Sequence, residues 1–166
     1  MASEIGVQTI QHTNGTDAIT IASDGKMTTS QYIQQNGVPR FSARDGSEES
    51  ATGPGVVKFT VADVNVGNCY STSTYRFTAP VAGDYYFFYS VMSAGDNYMR
   101  TRLRKNGSTY LGGETFHGNR VYERTSYASI FTLAANDYVE VIYDTQGNDQ
   151  GDVHGDYRQF CGYLVG

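Results

Sequence analysis

The chain has 166 residues, enough for one domain with a short extension and a real core. Its 19 Gly, 14 Tyr and 8 Phe, with only 17% charged residues, describe a turn-rich β protein and exclude a disordered or coiled-coil one. A net charge of −5 argues against a nucleic-acid partner, and the lack of any run of ~18 apolar residues argues against membrane insertion.

The opening Met-Ala-Ser-Glu-Ile-Gly-Val-Gln carries neither a basic n-region nor an apolar h-region, so the chain is expected to be made without a signal peptide. Residues 1–37 are rich in Thr, Gln and Ser, and Lys26 is their one Lys or Arg. Within them Ala18-Ile-Thr-Ile-Ala alternates at period two between the turn dipeptides Asn14-Gly15 and Asp24-Gly25. The pattern predicts a small hairpin or meander, too poor in apolar residues to fold alone. It is expected to serve as an anchoring or interlacing arm through Val7, Ile10, Ile19 and Ile21.

From Val38 onward, strand-like runs alternate with turn residues: 40–43, 56–61, 75–78, 85–92, 98–104, 110–111, 126–133, 138–143 and 160–165. Spacings near ten residues without helical periodicity predict an all-β sandwich over 38–166. Asn14-Gly-Thr and Asn106-Gly-Ser fit a glycosylation sequon, yet both are read as Asn-Gly turns because no secretion signal accompanies them.

The stretch Tyr75 to Met92 is the densest apolar run, broken by a turn at Pro80 and Gly83. In its second half Tyr85, Phe87, Tyr89 and Val91 point one way and Tyr86, Phe88 and Met92 the other. A sandwich core buries only one of those faces, so the other is expected to meet another subunit. Which of the two sets faces the partner is open, since a register error of one residue exchanges them.

Further along, Arg100, Arg102 and Arg104 share one strand face. They are read either as a partner-facing stripe for an acidic surface or anionic glycan, or as an outer face paired with acids such as Glu140. A Gly-rich loop crowds Asp144, Asn148, Asp149, Asp152, His154 and Asp156, and a calcium ion on Asp149, Asp152 and Asp156 is weighed against an ordinary solvated turn. No other cofactor is expected. Cys69 and Cys161 are the only cysteines and fit no zinc spacing, which leaves free thiols or a single disulfide. No Gly-x-Ser-x-Gly elbow or phosphate loop is present, and the three His lie in unrelated segments, so no enzyme is expected.

Pro39-Arg-Phe-Ser-Ala-Arg, Val57-Lys-Phe, the run Tyr75 to Tyr89, Lys105-Asn-Gly, Tyr127 to Glu140 with Leu133 and Asp137, and Phe160-Cys-Gly-Tyr-Leu-Val follow one another in order. In that order they resemble the C1q-like and tumour-necrosis-factor-like globular domain over about 125 residues. The resemblance implies a ten-stranded antiparallel jelly-roll sandwich that assembles as a tight homotrimer with its inner sheet on the threefold axis. Tyr85, Phe87, Tyr89, Tyr127, Phe131, Phe160, Tyr163 and Leu164 are the expected trimer interface and core. It also implies that some relatives hold calcium near the trimer apex. The collagen-like Gly-x-y stalk common in that family is missing from the chain.

Where the stalk would stand, Val7 to Thr28 resembles a segment of tailed-phage virion proteins. That likeness implies a virion-surface protein, made in the host cytoplasm, with the major capsid protein or tail proteins as partners. A capsid decoration, or cement, protein is expected first. A tail-fibre head is the alternative, and a lectin-like module binding a host surface glycan is the second alternative.

Overall fold

The computed structural model describes residues 9–11, 15, 17–29, 37–45, 51–52, 54–93, 99–117, 122–144, 152–153 and 157–166. The chain falls into two compact units, Met1–Asn36 and Gly37–Gly166. The first holds β1 (Thr9–Gln11), β2 (Asp17–Ile21) and β3 (Met27–Thr29) in an antiparallel meander. Ile10 lies opposite Ile19, and Ile21 opposite Met27. Gly25, at φ 81°, turns the chain between β2 and β3, where a side chain would be strained.

The second unit contains β4 (Arg40–Arg44), β5 (Ala51–Thr52), β6 (Gly55–Val56), β7 (Val61–Val66), β8 (Tyr70–Ser71), β9 (Arg76–Thr78) and β10 (Gly83–Met92). There follow β11 (Met99–Lys105), β12 (Thr109–His117), β13 (Arg124–Leu133), β14 (Tyr138–Asp144), β15 (Asp152–Val153) and β16 (Gln159–Leu164). Two ladders, β13-β10-β16-β4-β7 and β12-β11-β14-β9-β8, supply the ten strands of the expected jelly roll. Strand β6 adds to the second ladder beside β14, and β5 pairs with β15 apart from both.

Strand parity explains the core. Tyr85, Phe87, Tyr89 and Val91 of β10 are all fully buried, while Tyr86, Phe88 and Met92 on the other face are half-buried. With no tryptophan to fill it, the interior is built from smaller rings. Phe41 stacks on Tyr70 at 4.9 Å and meets Phe160 edge-on at 4.8 Å; Phe77 meets Phe87 edge-on at 5.1 Å. Each such ring withdraws roughly 150–250 Å² from water, worth roughly 4–6 kcal/mol as an upper figure. The buried hydroxyls are answered: Tyr70 donates to the Phe59 carbonyl at 3.1 Å, and Tyr85 to that of Val81 at 2.8 Å.

Gly162 makes this packing possible. It faces inward opposite Phe87, and a Cβ there would stand 2.6 Å from the Phe87 ring and 2.7 Å from the Tyr86 carbonyl oxygen. Just ahead of β16 and just past β4, Arg158 and Asp45 form an ion pair with each side chain 1% exposed, and Thr60 donates to Asp45 at 2.8 Å.

Two expected strands come out differently. The run 56–61 is not one strand: β6 stops at Val56, and Val57 and Phe59 plunge into the core with Val57 bonded through its N–H to the Val141 carbonyl at 2.8 Å. Apolar alternation there marks burial, not ladder pairing. Strand β9 begins at Arg76 because Tyr75 sits in the left-handed region at φ 62°, closing a turn in which its N–H bonds the Ser71 carbonyl.

Candidate assembly face and charged face

The outward side of the five-stranded sheet carries a mainly apolar band across its strands. In one row Ile130, Tyr86 and Tyr163 lie side by side on β13, β10 and β16. In the next, Ala128, Phe88, Cys161, Ser42 and Val64 continue from β13 through β10, β16 and β4 to β7. Ile130, Tyr163 and Val64 are 54%, 47% and 39% exposed. A shallow groove of about 270 Å³ opens between Ser42, Val64, Cys161 and Tyr163.

The rim of this band is polar. Arg44 pairs with Asp63 at 2.8 Å at one margin, Thr132 donates to Asp84 at 2.5 Å at another, and Arg124 donates to Ser90 at 2.7 Å at a third. An apolar centre with a hydrogen-bonded rim is the anatomy of a protein interface.

Of the eight residues expected at the trimer interface and core, Tyr85, Phe87, Tyr89 and Phe160 lie wholly inside the sandwich. Tyr127, Phe131 and Leu164 pack against that core from its margins. Tyr163 alone of the eight stands on the outward face. Sequence reasoning singled out Tyr86, Phe88 and Met92 as the second face of β10 but missed Ile130 and Val64. Their signal was period-two alternation along β13 and β7, which puts Ile130 in one outward row with Ala128 and Val64 in one with Val66.

Both thiols are free. Cys69 is buried and donates to the Val66 carbonyl at 3.3 Å, and burial pushes its pKa up to about 11. Burial also raises that of Cys161, on the outward face.

The other sheet turns a charged face outward. Arg100 grips Asp144 with two bonds, Nε to Oδ1 at 2.6 Å and Nη2 to Oδ2 at 3.1 Å, and Arg102 donates to the same carboxylate. Arg104 reaches Glu140 Oε1 through Nε at 2.8 Å, and Arg76 reaches Oε2 through Nε at 2.9 Å. Glu140 is fully buried beneath them. The Arg102 guanidinium lies 3.7 Å over the Tyr110 ring, and that of Arg76 lies 4.2 Å over Tyr138. The bond to Glu140 holds the Arg76 pKa above its ordinary value. The three sequence-predicted arginines are thus tied to cross-strand acids, and Arg76, missed in the sequence, completes the set.

Ile10, 50% exposed, sits in β1 and Ile19 and Ile21 in β2, while Val7 lies outside the described residues. Of the calcium candidates, Asp149 and Asp156 lie outside them too, and Asp152 is placed only as part of β15.

A family model described as the C1q domain matches residues 40–165. The complement C1q tumor necrosis factor-related protein 3 of Mus musculus is 31% identical over 111 residues, covering 64% of this chain and 43% of that protein. Its Homo sapiens counterpart aligns to the same extent. The match therefore spans less than half the length of these relatives. Among solved structures, the globular domain of zebrafish complement 1qA superposes with a TM-score of 0.62 at 21% identity, covering 78% of this chain and 98% of that one. Murine APRIL gives 0.61 at 10% identity, covering 77% and 99%. At such identities the structures show a common fold.

Proposed function

The chain belongs to the C1q-domain family, and from that membership we propose that three copies close around the outward face of the five-stranded sheet. The resulting homotrimer is a binding and display module, not an enzyme. The observation that carries this reading is the apolar band of Tyr86, Phe88, Met92, Ile130, Cys161 and Tyr163 on the outward face of the sheet, where Ile130 is 54% and Tyr163 47% exposed. A second and third copy are the fitting occupants because every copy bears the same band, and a rotation that closes after three steps buries it without an open edge. Sedimentation at micromolar concentration tests this: the reading requires a species of three times the 18.2 kDa chain, and a stable monomer sinks it.

For the setting, we propose the surface of a tailed-phage virion, as a capsid decoration protein ahead of a tail-fibre head, with the capsid or tail proteins as partners. The likeness of Val7 to Thr28 is its sole support; the relatives named above come from mouse, human and zebrafish and add none. Quantitative mass spectrometry of purified particles decides it. A copy number on the scale of the capsid subunits supports decoration, one on the scale of the tail proteins supports the fibre head, and absence from the particle removes the setting.

A further inference from the structure

Glu140 is used unusually on the charged face. At the Asp144 end, Arg100 spends Nε and Nη2 on one carboxylate, and Arg102 adds a third donor. At the Glu140 end Oε2 goes to Arg76 and Oε1 to Arg104, which spends Nε and Nη2 on it, so a fully buried carboxylate spaces Arg76 and Arg104 across β9, β14 and β11. Arg76 binds through Nε alone, and its two Nη groups have no hydrogen-bond partner among the described residues. Its side chain is 37% exposed, and its plane is fixed by Tyr138. Two rigid, coplanar donors that face water already bear little ordering cost on meeting an anion.

The neighbourhood of Arg104 adds shape to this charge. A groove of about 310 Å³ runs beside it, lined by Pro54, Val56, Tyr110, Ile142 and Asp144, with the Tyr110 ring 53% exposed. Among the described side chains of this face, four guanidinium groups stand against two carboxylates, although the whole chain carries −5. Donors on β9 and β11, two strand spacings of about 4.8 Å each apart with β14 between them, match anionic groups repeated along a stiff polymer. Aromatic and aliphatic side chains beside those donors suit the carbon face of a sugar ring.

We infer that Arg76 and Arg104 form a binding site for the sulfate or carboxylate groups of an acidic glycan, which crosses β9, β14 and β11 toward the groove at Tyr110. The site uses residues of one protomer only, so it stands or falls separately from the trimer.

The test is calorimetry of the full chain with three probes: a heparin-derived octasaccharide, the same chain chemically desulfated, and a polyglutamate peptide of equal charge. Binding of the sulfated chain that weakens as salt rises is expected. Retention by the desulfated chain assigns the site to carboxylates, and loss assigns it to sulfates. Arg76→Gln, which keeps a donor for Glu140, should weaken binding about threefold to tenfold. Near-ultraviolet circular dichroism of that variant should match the wild type. The inference is overturned by absence of binding to both sugars, by polyglutamate binding as tightly as the sulfated chain, or by an unaffected Arg76→Gln.

Discussion

Tyr86 and Tyr163 face each other across the β10–β16 pair, ring centroids 5.3 Å apart and planes at 37°, on the outward side of the sandwich. Ile130 flanks Tyr86 on the edge strand β13 and is exposed. Placing a charge in that row should break assembly without touching the core. Ile130→Arg is expected to raise the dissociation constant of the trimer more than about a hundredfold, because an unpaired charge would be buried between copies. Sedimentation should then show monomer, with the near-ultraviolet circular dichroism of the folded sandwich retained.

Phe87 should behave in the opposite way. It is fully buried among Phe41, Phe77, Tyr85 and Phe160. Phe87→Ala should therefore cost about 3–5 kcal/mol of unfolding free energy. Denaturant unfolding measures this, and a loss of assembly with unchanged stability would contradict the placement of Phe87 inside.

The two thiols offer a probe of the covered face. Cys69, with its pKa near 11 and its buried sulfur, should resist alkylation at pH 8 in any assembly state. Cys161 should be slow to alkylate in the wild-type trimer and faster in the Ile130→Arg monomer, since only the first state would cover its face. Mass spectrometry after timed iodoacetamide treatment reads both sites at once.

Asp137 ties two turns together and makes stability depend on pH. Its carboxylate accepts from Asn106 Nδ2 at 2.7 Å and from the Ala134 N–H at 2.9 Å, with Lys105 at 3.4 Å. The Asn106 bond is the main reason its pKa lies below the ordinary 3.8. A carboxylate depressed on folding contributes its full stabilisation above that ordinary value and loses it as pH falls through the lower, folded one. Asp137→Asn should thus melt below the wild type at neutral pH, with the gap narrowing in acid below about pH 4. A gap that stays constant across that range would contradict the assignment.

Parity along β10 made two opposed aromatic faces readable in the sequence, the spacing of turns made an all-β sandwich readable, and the jelly roll followed from the resemblance to the C1q-like domain. The choice of inner face was not readable, because both sets are aromatic and no local feature fixes the register. It is settled by partners distant in the chain: Phe160 and Gly162 on β16 admit Phe87 inward, where Cys161 and Tyr163 would block it. Strand β7 escaped notice because Val61-Ala-Asp-Val-Asn-Val puts Asp63 and Asn65 among its apolar residues, and Val64 faces outward while exposed. Arg76 escaped because its acid lies 64 residues away, on a strand whose adjacency only the folded sheet reveals. The acidic loop stays an expectation, since most of its residues lie outside the described ones.

The Arg158–Asp45 pair has a consequence for how such a sequence can change over time. Each member is sealed from water, so losing either one alone would strand the other's charge in the interior. Homologous chains should then hold both residues or neither, and a lineage that replaced the pair with an apolar couple would have had to pass through a poorly folding ancestor or change both codons together.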